Sequence, residues 1–189
     1  MNIEVQDKTD EAQMRRACDM TRKAGLAPST ISRAKLLQCE HSPAREIKFW
    51  IELSGIPSFV STHLVRHKVG VEHFVESNRD DRGGAGDLSV NRLTPVNHGM
   101  SINAPALLAI SRKRLCYNSH KRTVAVWMKL KKAMRKICPD TSDYMVPECV
   151  VRGYCPELRQ CGPGVRAVLR AYNDSPQSRL REKQNDRRD

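Results

Sequence analysis

The sequence predicts an α+β domain in which helices pack on a central antiparallel or mixed sheet, and three observations carry that prediction. Apolar residues recur at helical spacing in several windows, the longest being residues 104–119 and 122–137. The run Phe49-Trp50-Ile51-Glu52-Leu53 has the content of a strand, and the segment from Val71 to Arg79 reads as extended. A length of 189 residues suits one domain that buries about two thirds of its unfolded surface. We place that domain over residues 1–172 and a polar, disordered tail over 173–189, where apolar residues almost vanish.

In chain order, Asp10 can cap a helix over residues 10–24 that aligns Ala12, Met14, Ala17, Cys18 and Met20 and stops before Gly25. Residues 30–39 read as a second helix. Ser42 as N-cap, Pro43 at the first helical position and Glu46 in the first turn mark a third helical start. The aromatic strand over 49–53 ends at Gly55. Pro57 then opens a helix that turns Phe59, Val60 and Leu64 toward the core and delivers Arg66. Residues 80–92 form a glycine-rich, charged loop, a lid candidate. The two long helices form a core hairpin, the second with Val124, Trp127, Met128, Leu130, Met134 and Ile137 on one side and lysines on the other. Beyond Pro139 the proline and glycine content predicts irregular structure.

A net charge of +12 points to anionic partners, whereas 5% aromatic residues are too few for a single-strand stacking platform, so a nucleic-acid partner is not expected. Seven cysteines, an odd number, and no apolar leader at Met1 predict a reducing, cytoplasmic setting with free thiols. Every apolar run is broken by Lys, Arg or Pro well before the ~18 residues that span a bilayer, so no membrane partner is expected.

The densest chemical signal lies in residues 63–79. Arg66, His67 and Lys68 put a guanidinium, an imidazole and an ammonium side by side, a set suited to a planar anion. Ser77 and Arg79, two apart in an extended segment, share one face. Asn103 and Arg114, eleven apart on a helix, differ by about 20° in azimuth and about 16 Å in height, so they sit on one face.

Arg66-His67-Lys68, eight residues, then Ser77-Asn78-Arg79 resembles the Arg-His-Arg, spacer, Ser signature of the flavin-dependent thymidylate synthases (ThyX-like). Upstream, His41, Ser42, Pro43 and Glu46 resemble that family's His, Ser or Thr, then Glu motif. Downstream, Asn103-Ala104, Leu107 and Arg114 resemble its late helix. The three matches follow the family's order over residues 41–123.

The resemblance implies a flavin-dependent thymidylate synthase-like fold and the reductive methylation of dUMP to dTMP, with FAD as cofactor and NADPH and methylenetetrahydrofolate as co-substrates. It gives His41, Glu46, Arg66, His67, Lys68 and Asn103 to the flavin, and His63, Ser77, Arg79 and Arg114 to the nucleotide, with Ser77 and Arg114 in catalytic roles. It also implies a homotetramer with shared active sites. The chain departs from the pattern at Lys68, where the family has Arg, at His63 and Ile47, where Gln and His are usual, and at Ser119, His120 and Arg122, where Ala, Gln and Glu are usual. Two alternatives stay open: a divergent flavin- or nucleotide-binding homologue without methylation, and a basic zinc or nucleic-acid module built on Cys138, Cys149, Cys155 and Cys161.

Overall fold

The computed structural model describes residues 1–77 and 90–161. Strands β1 (Asn2–Asp7), β2 (Lys48–Pro57), β3 (Val71–Val75) and β4 (Pro95–Asn103) form one sheet of order β1-β2-β4-β3, antiparallel at every pairing. Helices α1 (Glu11–Met20), α2 (Arg33–Gln38), α3 (Ser58–Leu64), α4 (Ala104–Arg114), α5 (Lys121–Ile137), α6 (Pro139–Tyr144) and α7 (Glu148–Arg152) complete the α+β domain, with a single 3-10 turn at Ser42–Glu46. No helix among the described residues is long and apolar enough to cross a membrane.

Strand alternation builds the core. Phe49, Ile51 and Leu53 of β2 are buried on one face, and a bulge between Leu53 and Ile56, eased by Gly55 at φ +68°, re-phases the strand so that Ile56 is buried too. The strand therefore runs through Gly55 instead of ending there. On β4 the buried row is Val96, His98, Met100 and Ile102. Helix α5 contributes Val126, Trp127, Leu130 and Met134 to the same core. The Trp127 indole donates to Ser111 Oγ on α4 at 2.9 Å, and that hydroxyl donates onward to the Leu107 carbonyl at 2.7 Å, so the buried N–H is satisfied while it joins the two helices. The opposite face is open. There Trp50 and Phe74 pack with ring centroids 5.4 Å apart over Gly99, where a Cβ would come 3.2 Å from the indole.

Asp10 caps α1 as expected, accepting from Gln13 N at 3.0 Å. Other expectations are corrected. Strands β1 and β4 were not foreseen. The cap position before the 3-10 turn is His41, not Ser42, and it makes no side-chain cap bond. Helix α4 stops at Arg114, five residues short of the expected end, and the segment after Pro139 holds α6 and α7. Most of the 80–92 loop, and the tail with the 172/173 boundary, lie outside the described residues.

Candidate functional site

The end of the sheet where β2 begins, β4 finishes and β3 starts gathers most of the expected residues. The register pairs Lys48 with Asn103 and Val71 with Ile102. Asn103 N donates to the Gly70 carbonyl at 3.0 Å, and Ala104 N to the Ile47 carbonyl at 2.8 Å. The Asn103 side chain caps α4, its Oδ1 accepting from Ala106 N at 2.9 Å. Gly70 at φ +72° closes the turn between α3 and β3 against this side chain, and a Cβ there would meet Asn103 Nδ2 at 2.6 Å.

Helix α3 and its turn deliver the basic groups. Arg114 donates from Nη2 to the His63 carbonyl at 2.7 Å, and from Nε and Nη2 to His67 Nε2 at 3.2 and 2.9 Å. A guanidinium has donors only, so His67 Nε2 is an acceptor and the neutral ring carries its proton on Nδ1. Burial pushes the His67 pKa down, and the nearby Arg114 and His73 push it further, which keeps the ring neutral. Burial likewise lowers His63, followed by Arg114, Arg66, His120 and Arg92, and it lowers Arg114, followed by Arg66. The charged neighbours felt by these groups are thus cations and histidines, an electropositive setting for an anion. His63 Nδ1 lies 3.1 Å from Thr123 Oγ1 on α5.

The remaining expected residues are placed less uniformly. Arg66 and Lys68 are exposed on the turn. Glu46 pairs with Lys48 at 2.9 Å, beside Asn103 in the register, whereas His41 is exposed at the head of the 3-10 turn. Ser77 lies past the end of β3, not within an extended strand face, and Arg79 is outside the described residues. Ser77 is also at the end of β3 away from Asn103, roughly 20 Å from Val71 at about 3.3 Å per residue.

Of the four thiols of the zinc alternative, Cys138 stands apart from the other three. Cys138 faces Thr141 at 3.1 Å and Arg33 at 4.0 Å, while Cys149, Cys155 and Cys161 line a small cavity with Cys116. Among the described residues no group of three or more His, Cys, Asp or Glu side chains is placed to hold a metal ion, and all seven cysteines are free.

Two solved structures share this architecture. The UMP/dUMP methylase PolB from Streptomyces cacaoi, bound with 5-Br dUMP, is 14% identical with a TM-score of 0.56, over 76% of this chain and 93% of that one. Thymidylate synthase X (ThyX) from Helicobacter pylori, with FAD and dUMP, is 14% identical with a TM-score of 0.57, over 78% of this chain and 99% of that one. The fold is that of ThyX-type thymidylate synthases. Neither a protein-family model nor a curated protein matches the sequence.

Sequence reasoning missed His73 and His98. His73 Nε2 sits 2.7 Å from the His67 carbonyl, and its Nδ1 lies 2.9 Å from His98 Nε2. A histidine in the alternating row Val96, His98, Met100, Ile102 was the available signal, but it is visible only once β4 is assigned.

Proposed function

We propose that this chain is an FAD-dependent thymidylate synthase, a cytoplasmic homotetramer that methylates dUMP to dTMP with methylenetetrahydrofolate as carbon donor and NADPH as reductant. The observation that carries the reading is the meeting of the signature turn with the late helix, His67 against Arg114 at 2.9 Å, in a ThyX-type fold. FAD, when bound, supplies the hydride chemistry. The donor set suits it: Arg66, His67 and Lys68 offer fixed cationic and polar groups, and Asn103 offers an amide across the Gly70 turn, with His41 and Glu46 at the neighbouring 3-10 turn. His63, Ser77, Arg79 and Arg114 would take the nucleotide, and Arg114 would stabilise negative charge drawn onto the pyrimidine.

The exposed Arg122 in the first turn of α5, where the family resemblance leads one to expect an acid, favours a second reading, nucleotide binding without methylation. One experiment separates the two. The visible spectrum of the purified chain with FAD is recorded anaerobically, then with dUMP or UMP and NADPH, and methyl transfer is assayed in parallel. Bound flavin that responds to the nucleotide and yields dTMP supports the first reading. Binding without product supports the second, and no flavin binding overturns the flavoenzyme reading.

A further inference from the structure

His98 is 1% exposed in a row otherwise made of Val96, Met100 and Ile102. An apolar side chain there would pack without penalty, whereas a buried imidazole is tolerated only when both nitrogens are bonded. Both are. His98 Nδ1 lies 2.8 Å from Ser61 Oγ on α3, itself 3% exposed, and Nε2 lies 2.9 Å from His73 Nδ1 on β3. His73 Nε2 in turn lies 2.7 Å from the His67 carbonyl.

The direction of these bonds follows from the last acceptor. A carbonyl only accepts, so His73 carries a proton on Nε2, and a ring that holds this one proton accepts at Nδ1. His98 must therefore donate from Nε2 and accept at Nδ1, which obliges Ser61 to donate its hydroxyl proton. The run reads Ser61 O–H to His98, His98 N–H to His73, His73 N–H to the His67 carbonyl. It ends on the residue whose ring accepts from Arg114, and it connects α3, β4 and β3 to the turn that carries Arg66–Lys68.

We propose that Ser61, His98 and His73 are positioning residues: a one-way hydrogen-bond run that fixes the His67 backbone and so holds the His67 ring against Arg114 in ligand-binding geometry. None of the three touches the ligand in this account. The ligand part of the proposal rests on the reading of the Arg114–His67 cluster as the flavin and nucleotide site.

The test uses the full chain with ring-labelled histidine, of which there are six, few enough to assign by single substitutions. NMR of the ligand-free protein at neutral pH should show protons on Nε2 of His73 and His98 and on Nδ1 of His67. The opposite tautomer at His73 overturns the run. His73→Leu should shift the His67 ring signals, whereas His73→Gln, which can accept and donate along the same line, should restore them. Unmoved His67 signals in His73→Leu overturn the proposal. With FAD and dUMP as probes, His73→Leu should weaken binding about three- to tenfold, the worth of one ordinary hydrogen bond, and His73→Gln should recover it. Equal affinities for the two variants, at any melting temperature, also overturn it. If the wild-type chain binds neither probe, the functional reading fails, and the tautomer and ring-shift results still decide whether the run exists.

Discussion

The two ends of β3 are built differently. At the Val71 end, backbone and side-chain groups close on one another: Gly70 against Asn103, His73 on the His67 carbonyl, Arg114 on His63 and His67. At the Val75 end the strand runs out with Phe74 55% and Val75 42% exposed, and Glu76 N tied to the Asn97 carbonyl at 2.9 Å. The first end is organised by the chain alone. The second carries Ser77, an expected site residue that lies away from the Arg114 cluster, while Arg79 is outside the described residues. Most of the expected site residues that are described therefore gather at the Val71 end, and Ser77 stands apart from them.

The buried histidine at the organised end gives the largest expected effect. Burial, with His73 next, depresses the His98 pKa to about 4, below the unfolded value of about 6.5. Between those values the unfolded chain binds a proton that the folded chain refuses, so stability rises with pH through this window. The contribution is present above about pH 6.5 and is lost as pH falls toward 4, amounting to about 3 kcal/mol. Denaturant unfolding at pH 7 and pH 4.5 should show this loss, and His98→Leu should flatten it. An equal acid loss in the variant would mean that the organised end is not the acid-sensitive one.

Arg114→Ala comes next. Removing a charged donor should weaken dUMP binding by about 2–3 kcal/mol, tens- to hundredfold, and depress turnover, while FAD stays bound. Calorimetric titration with dUMP checks the first part and the flavin absorbance the second. Unchanged thymidylate formation would remove Arg114 from the site.

Gly70→Ala should cost about 1–3 kcal/mol, because it meets both a left-handed backbone at φ +72° and a contact of 2.6 Å with the Asn103 amide. Gly153→Ala is its control, since Gly153 has φ +78° and nothing within 4 Å of the added carbon. That substitution should cost only the backbone part, about 1 kcal/mol. Thermal melts that put the two variants level would show that Asn103 yields to the new methyl group and that the turn is looser than its packing indicates.

The legibility of this molecule divides along similar physical lines. Helices α1, α3 and α5 were readable because caps, punctuation and a 3.6-residue stripe agree, as at Asp10, Pro57 and Trp127, although Met20, Met128 and Ile137, expected on the apolar stripes, are exposed. Strand β4 was not, because Pro95, Asn97, Gly99 and Ser101 alternate with the buried row and dilute its β signal, and its inward row contains His98. Strand β1 is a short edge whose Ile3 and Val5 are only partly buried. The site was legible where residues are close in sequence or one helix apart, as with Arg66–Lys68 and Arg114. It was illegible where three elements converge, since nothing in the local sequence connects Ser61 to His73 and His98.

The smallest effect on the folded chain, and the most informative about the comparison, is expected from Ser77→Ala. Ser77 is exposed, and exposed substitutions usually stay within about 0.5 kcal/mol. Its effect should therefore fall on turnover. If Ser77 of one copy serves the Arg114 cluster of another, inactive Ser77→Ala and inactive Arg114→Ala chains, mixed and reassembled, should regain activity, because some sites then combine the intact Ser77 of an Arg114→Ala chain with the intact Arg114 of a Ser77→Ala chain. Activity that stays absent in mixtures shown by native mass spectrometry to contain both chains would place Ser77 and Arg114 in the same copy's site. The roughly 20 Å between the ends of β3 would then have to close by a rearrangement within the chain.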